Sequence, residues 1–264
     1  MGVKTQISLD KINSMFPTYG FTNLQETSSG IIDTTYIVSN KTQSYILKKY
    51  EREIDTKIDE DMELLSELKS VGLNVPLSLC SSKGWYLYEK LKGSQPKNIK
   101  NYHIQAVARF LARLHSQTSK KSCSSNRAQH KEILKALNYA KSNYFSFYKR
   151  VEFLKNFHTK KGVLIHGDIF KDNTVFDGRK IGVFDFIDSS CGTFIFDVAV
   201  ALVGFDTKSD NHYCINLFLN SYNQNAPKKL NKKDLLKEMK RASSYYALKR
   251  VQKYKNTKKA KELI

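Results

Sequence analysis

The sequence contains few cysteines and no long hydrophobic run. The four cysteines lie far apart, without C-x-x-C spacing, at Cys80, Cys123, Cys191 and Cys214. This spacing argues against a zinc site and against a disulfide framework, and it fits a reducing cytoplasm. The longest apolar stretch, residues 194–205, includes Asp197 and is too short to span a bilayer. Since the first ten residues also lack a signal-peptide pattern, we expect a soluble, cytoplasmic chain that does not associate with membranes.

Acidic residues are in the minority. The chain has 25 Asp and Glu against 44 Lys and Arg, which gives a formal net charge of +19. A polyanion such as nucleic acid is one partner that suits this excess. Many of the lysines, however, lie in pairs within amphipathic helical stretches, which favours a solvated basic surface. No helix-turn-helix, RRM or KH signature is present, so we expect no nucleic-acid partner. The sequence implies no obligate protein partner.

The 264 residues are 41 % hydrophobic and 12 % aromatic, as in a folded chain of one large or two small domains. Two β-rich segments, residues 27–40 and 42–51, predict antiparallel strands joined by a turn, and an amphipathic helix is predicted over residues 58–68. Two more strands are predicted at residues 77–80 and 85–87. Helical patterns dominate beyond residue 92. The predicted class is α+β, with an N-terminal sheet lobe at residues 1–92 and a mostly helical lobe at residues 93–264.

The segment of residues 163–186 carries the most informative motif. His166, Asp168 and Asn173 follow one short β-run in the spacing H-x-D-x4-N, and Asp185 comes twelve residues later at the end of another. Polar side chains between β-runs are poorly placed for core packing and well placed for a site. One carboxylate can accept a hydroxyl proton, while an amide oxygen and a second carboxylate hold magnesium on nucleotide phosphates. The spacing therefore indicates phosphoryl transfer.

The H-G-D-x4-N motif with its later aspartate resembles the aminoglycoside-phosphotransferase and choline-kinase superfamily, relatives of protein kinases. The resemblance implies a bilobal, protein-kinase-like fold that uses ATP and Mg²⁺. It implies Asp168 as the catalytic base and Asn173 and Asp185 as magnesium ligands. We expect His166 to brace the loop through hydrogen bonds rather than to act as a base.

The same resemblance assigns a phosphate clamp to the N-terminal half. Lys48 occupies the strand position of the lysine that contacts the α- and β-phosphates in these kinases. Its carboxylate partner should come from the following helix, where Glu60, Asp61 and Glu63 are open alternatives.

Two further segments are expected to touch the nucleotide. The loop of residues 27–35 contains only one glycine, Gly30, and no G-x-G-x-x-G pattern, so phosphate cradling there would depend on Ser28, Ser29 and backbone N–H groups. Glu89 to Leu91 resembles the hinge that hydrogen-bonds adenine through its backbone. A simple connector between lobes is an equally consistent interpretation of Glu89 and Leu91.

Longer segments resemble the type II homoserine kinases of threonine biosynthesis. They run over residues 30–35, 47–51, 185–199 and 241–251. This likeness implies transfer of phosphate from ATP to the hydroxyl of L-homoserine, giving O-phospho-L-homoserine. Because homoserine carries a carboxylate and an ammonium, its pocket needs a cation and a nearby acid. We expect Arg241, with Arg250 as the open alternative, and Asp188 at the acceptor, and Asp33 is a further candidate. The chain departs from the family pattern at Thr193 and Ile187, which puts details of the acceptor pocket in doubt.

Alternative interpretations concern the substrate and two single residues. A kinase of an aminoglycoside, of choline or of another small hydroxyl compound would share the fold, and a non-catalytic nucleic-acid-binding protein is the alternative from another class. The basic C-terminal part, residues 206–264, disfavours a polycationic substrate. Asp197 either braces the catalytic loop or caps the following helix. We expect Cys191 to be a small packing residue rather than a nucleophile.

Overall fold

The computed structural model describes residues 3–27, 33–52, 55–124, 127–157, 161–258, 260 and 263. The chain divides into two compact units, Met1–Ser94 with Gly182–Ile187, and Gln95–Ile181 with Asp188–Ile264. The α-helices are α1 (Leu9–Met15), α2 (Asp55–Ser70), α3 (Asn101–Thr118), α4 (Arg127–Asn143), α5 (Phe145–Val151), α6 (Phe194–Gly204), α7 (His212–Asn223) and α8 (Lys232–Tyr254). The β-strands are β1 (Asn23–Glu26), β2 (Thr34–Ser39), β3 (Ser44–Lys49), β4 (Ser78–Ser82), β5 (Trp85–Glu89), β6 (Ser122–Ser124), β7 (Lys161–Ile165), β8 (Thr174–Asp177), β9 (Lys180–Val183) and β10 (Ser190–Gly192).

The first unit is built on a five-stranded antiparallel sheet in the order β1-β2-β3-β5-β4. Burial alternates along β2, as expected of a strand with one face on a core. Tyr36, Val38 and Leu47 are buried there together with the short helix α1. The segment 182–187 joins this unit through the N–H of Val183, which donates to the carbonyl of Asn74 at 3.0 Å. Sequence patterns divide the chain once, near residue 92, and do not reveal this later segment.

The second unit is mostly helical. Helix α6 is buried from Phe196 to Gly204 and packs against α8, and α3 packs against α7. A three-stranded antiparallel sheet, β10-β7-β6, presents the end of β7 to the loop that carries His166 and Asp168. Strands β8 and β9 form a two-stranded sheet after that loop.

Cys123 and Cys191 form a disulfide between the two outer strands of the β10-β7-β6 sheet. Their Cα atoms are 5.6 Å apart although 68 positions separate them in sequence. The central strand has Gly162 at this point, where a Cβ atom would lie 3.0 Å from the sulfur of Cys191. The expectation that the spaced cysteines form no disulfide is therefore wrong for Cys123 and Cys191. Sequence spacing reveals local cysteine motifs, whereas this pair is created by strand pairing.

The structure confirms an α+β chain with an antiparallel N-terminal sheet and a helical C-terminal part. The predicted hairpin corresponds to β2 and β3, and the predicted amphipathic helix to α2. The short elements α1, β1 and β6 are additions that the sequence patterns do not reveal. Among the described helices, none combines the length and the apolar character needed to cross a membrane.

Candidate active site

The loop of residues 166–173 brings two of the predicted site residues together. It begins directly after β7 and ends in a short 3₁₀ turn, Lys171–Asn173. The side-chain amide of Asn173 donates to the Asp168 carboxylate at 3.0 Å and to the Asp168 carbonyl at 2.8 Å. Asn173 therefore fixes the orientation of Asp168 and turns its own amide N–H groups toward it. Within the described residues, no hydrogen bond engages the Asn173 side-chain oxygen.

Asp197 holds this loop from beneath. Its carboxylate is fully buried and accepts the backbone N–H groups of His166 at 3.0 Å and Gly167 at 2.8 Å. The hydroxyl of Thr193 caps α6, because it accepts the backbone N–H of Phe196 in the first turn of the helix. Of the two interpretations of Asp197, the structure therefore supports the brace and gives the cap to Thr193.

A buried histidine extends the brace. The Nε2–H group of His115 donates to Asp197 at 3.0 Å, because a carboxylate can only accept. The other ring nitrogen, Nδ1, is hydrogen-bonded to the hydroxyl of Tyr222 at 2.7 Å. Burial alone would raise the pKa of Asp197, but the hydrogen bond and proximity of His115 and the N–H of Gly167 lower it below its ordinary value. Asp197 is thus a buried anion with all its bonds provided by the fold.

His166 acts within the loop. Its ring is 1 % exposed, and its Nδ1 atom accepts the backbone N–H of Asp168 at 3.2 Å. This is the bracing geometry expected for His166. An accepting, buried nitrogen is unsuited to take a proton from a substrate.

Helix α6 and the loop approach each other closely at Gly204. A Cβ atom at this position would lie 2.6 Å from the carbonyl oxygen of Ile169 and 2.9 Å from the Cα atom of Phe170. Since both neighbours are backbone atoms, a side chain here would push the loop away from the helix. Glycine therefore sets the distance at which α6 carries the loop.

Tyr246 of α8 supports the loop from another side and was not found by sequence reasoning. Its hydroxyl donates to the carbonyl of Gly167, and its ring packs on Phe170 at 4.7 Å. Burial, followed by the neighbouring Asp168 carboxylate, raises the pKa of Tyr246 well above its ordinary value. The hydroxyl thus remains a donor beside the catalytic loop. The adjacent pair Tyr245-Tyr246 in an otherwise basic helix was the available signal.

Lys48 and Asp185 form an ion pair within the first unit. The ammonium of Lys48 lies 2.7 Å from the Asp185 carboxylate, and its side chain is 15 % exposed. Burial would lower the pKa of Lys48, but the Asp185 carboxylate raises it above the ordinary value. Asp185 adopts φ +68°, a conformation that L-residues seldom hold and that often occurs at functional sites. The backbone thus presents Asp185 to Lys48.

The aromatic surroundings of Lys48 point to one of the three acids on α2. Its ammonium lies 4.9 Å from the Tyr50 ring centre, and the Tyr50 and Tyr88 hydroxyls are 3.0 Å apart. Burial raises the pKa of Tyr50 and of Tyr88, and the Asp61 carboxylate raises both further. Asp61 is buried, whereas Glu60 and Glu63 are exposed. Of the three acids, Asp61 is therefore the one that is buried and acts on Tyr50 and Tyr88, the tyrosines next to Lys48.

The expected adenine hinge is partly committed to the sheet. The Glu89 N–H donates to the carbonyl of Leu77 at 2.9 Å, and the Glu89 carboxylate accepts Lys69 at 2.7 Å. The Glu89 backbone N–H is therefore unavailable to a base, and adenine recognition by Glu89 and Leu91 stays a prediction. Ser28, Ser29 and Gly30, in the predicted phosphate cradle, lie outside the described residues.

The three predicted acceptor residues have different surroundings. Asp33 is 8 % exposed and accepts Arg52 at 3.0 Å and the N–H of Glu51 at 3.1 Å. Asp188 is exposed. The guanidinium of Arg241 donates to Glu238 at 2.8 Å, one turn away on α8. Their contact with a substrate stays a prediction.

The chemistry of Asn173 and Asp185 suits a magnesium ion. Asn173 offers an amide oxygen and Asp185 a carboxylate, the hard oxygen ligands that Mg²⁺ prefers. No cluster of three His, Cys, Asp or Glu side chains with metal-site geometry occurs among the described residues. Binding of magnesium by Asn173 and Asp185 stays a prediction.

Comparison with known proteins identifies the class to which this site belongs. The profile of the phosphotransferase enzyme family matches residues 23–218. The chain belongs to this family and is a small-molecule kinase.

The chain is also similar to individual known proteins. The chain is similar to homoserine kinase of Methylobacillus flagellatus, at 27 % identity over 82 % of this chain and 72 % of the relative. It is also similar to homoserine kinase of Polaromonas naphthalenivorans, at 23 % identity over 93 % of this chain and 87 % of the relative. Among solved structures, macrolide 2'-phosphotransferase type I has a TM-score of 0.71 at 15 % identity, covering 100 % of this chain and 96 % of that one. At this identity the structural likeness shows the fold alone.

Proposed function

We propose that this chain transfers the γ-phosphoryl group of ATP to the hydroxyl of L-homoserine, giving O-phospho-L-homoserine for threonine biosynthesis. The observation that carries the proposal is the braced catalytic loop, in which Asn173 orients Asp168 and Asp197 holds the backbone between them and β7. The homoserine kinases among the relatives support this acceptor over aminoglycosides and choline.

Asp168 has the role of catalytic base in this proposal. The acceptor hydroxyl donates its proton to the Asp168 carboxylate while its oxygen bonds to the γ-phosphorus, and the bond to the leaving ADP breaks. The Asn173 amide and the Tyr246 hydroxyl keep the carboxylate in position for this transfer. Both groups are fixed in advance, so little reorganisation is required.

The nucleotide is proposed to be bound by three residues, Lys48, Asp185 and Asn173. Mg²⁺, when bound, neutralises charge on the β- and γ-phosphates. Asn173 and Asp185 would hold it, and Lys48 would contact the α- and β-phosphates. If Asp185 holds the metal, Lys48 needs another carboxylate, and we propose the buried Asp61 as that partner.

The test combines an acceptor panel with one loop variant. ADP release is measured with ATP and Mg²⁺ against L-homoserine, choline, an aminoglycoside and an uncharged alcohol, and L-homoserine should have the highest kcat/KM. Asp168→Asn should lower kcat roughly 10²-fold or more with nucleotide binding retained. Asp172→Asn, a matched change at an exposed position of the same loop, should leave kcat unchanged. A preferred acceptor other than L-homoserine, or near-normal turnover by Asp168→Asn, would contradict the proposal.

A further inference from the structure

Lys249 of α8 carries an ammonium group that the proposed chemistry has not used. It lies 5.4 Å from the ring centres of both Tyr245 and Tyr246, so two aromatic faces hold it. Its side chain is exposed. Among the described residues, no hydrogen bond or ion pair engages this ammonium. Its three N–H donors are therefore available to a ligand.

The position of Lys249 is tied to the catalytic loop. Tyr246, one helical turn earlier, donates its hydroxyl to the carbonyl of Gly167, the residue before Asp168. The lysine that rests on the Tyr246 ring is thus placed next to the loop by the same side chain that fixes it. Although the side chain of Lys249 reaches the surface, partial desolvation by its neighbours would lower its pKa, but Tyr245 and the carboxylates of Asp168, Asp188 and Glu132 raise it. The group is therefore a permanent cation beside the catalytic base.

Two other cations of the second unit, Arg241 and Lys171, are already engaged. Arg241 is bound by Glu238 at 2.8 Å, and Lys171 pairs with Asp206. An acceptor as small as homoserine places its carboxylate only a few bonds from the hydroxyl that Asp168 must reach. The cation that binds this carboxylate must therefore come from an element that packs beside the loop, as α8 does.

We propose that the Lys249 ammonium binds the carboxylate of the acceptor and thereby restricts the enzyme to small hydroxy compounds that carry an anionic group. The inference rests on the proposed function. The exposed carboxylate of Asp188 is close enough to Lys249 to raise its pKa, and its charge suits the acceptor's ammonium. A cation and an anion side by side match the two charges of an amino acid.

Pairs of acceptors that differ by one charged group provide the test. 3-Aminopropan-1-ol is homoserine without its carboxylate, and 4-hydroxybutanoate is homoserine without its ammonium. Lys249→Met keeps the aliphatic stem and removes the charge. This variant should raise the KM for L-homoserine at least roughly tenfold, with the KM for ATP unchanged. Its kcat/KM for 3-aminopropan-1-ol should stay at the wild-type value, so preference for the carboxylated acceptor is lost.

Two further variants complete the experiment. Lys249→Arg should restore most of the preference, because it returns a cation at the same place. Lys253→Met is the matched control, since Lys253 is exposed one turn further along α8 and lies over a tyrosine, Tyr254, at 5.8 Å. Undiminished preference in Lys249→Met, or an equal loss in Lys253→Met, would overturn the inference while leaving homoserine phosphorylation intact. No phosphorylation of L-homoserine by the wild-type chain would refute the proposed function and the inference with it.

Discussion

Replacing Asp197 by asparagine tests the brace beneath the catalytic loop. Asparagine keeps the size of the side chain but replaces one acceptor oxygen with an NH₂ group, which only donates. In either orientation the NH₂ group meets a backbone N–H, that of His166 or that of Gly167. His115 can adapt by exchanging its protonated nitrogen, but a backbone N–H cannot. One buried donor is left without an acceptor.

The expected cost follows from this count. An unsatisfied buried donor costs about 1–3 kcal/mol, and a hydrogen bond to a charged acceptor, lost with the carboxylate, contributes about 1.5–3 kcal/mol more. The free energy of unfolding should therefore fall by roughly 3 kcal/mol or more at pH 7. Since Asp168 follows Gly167 directly, kcat should also fall, by about 10²-fold if the carboxylate shifts by 1 Å.

Urea denaturation followed by far-UV circular dichroism is the appropriate measurement. The single tryptophan, Trp85, lies in the first unit and would not report on Asp197, whereas the helices of the second unit dominate the dichroism signal. Asp172→Asn serves as the exposed control. A free energy of unfolding within about 1 kcal/mol of wild type would refute the reasoning.

The stability difference should also depend on pH in a defined direction. The pKa of Asp197 is lowered in the folded chain from an ordinary value of 3.8. A lowered carboxyl pKa contributes stability above the unfolded value, and this contribution is lost as pH falls through the folded value. The difference in free energy of unfolding between wild type and Asp197→Asn should therefore be largest at neutral pH and become smaller below about pH 4.

Three other results are expected. Asp185→Ala should abolish turnover, and EDTA should do the same to the unaltered chain; turnover that persists in EDTA with repurified nucleotide would exclude the metal role. Reduction of the Cys123–Cys191 disulfide should lower the free energy of unfolding by about 4 kcal/mol, as loop closure over 68 positions predicts, and thiol titration of the unreduced chain should find two free thiols, not four. Tyr246→Phe should lower kcat with little change in the KM for ATP; an unchanged kcat would remove Tyr246 from the positioning of Asp168.

Local patterns in the sequence were sufficient for the main sheet hairpin, for helix α2 and for the loop motif, but not for the short elements α1, β1 and β6. The turn between β2 and β3, the amphipathic face of α2 and the spacing of His166, Asp168 and Asn173 all involve residues close in sequence. The partners of the loop could not be found in this way. Tyr222 contacts His115 across 107 positions, and Tyr246 contacts Gly167 across 79. Such pairs depend on helix packing, for which one sequence provides no distance information.

The disulfide and Asp61 illustrate the same limit. Cys123 and Cys191 meet because both flank β7, and nothing in their spacing indicates that register. Asp61, Glu60 and Glu63 have equivalent chemistry, and only the rotation of α2 decides which is buried. Arg241 was predicted from the charge that an amino-acid acceptor requires, whereas Lys249 became a candidate only from its contacts.

The residues that hold the loop of residues 166–173 are far apart in the sequence, so their contacts with the loop can form only in a fixed order during synthesis. Tyr246 is synthesised 78 residues after Asp168, which at ordinary translation speed is a delay of roughly 4–16 s. The first unit also waits, because Gly182–Ile187 belongs to it. A chain still on the ribosome therefore has its motif long before it has a positioned base. Until α8 has been synthesised, the Gly167 carbonyl lacks the Tyr246 hydroxyl whose hydrogen bond it accepts in the folded chain.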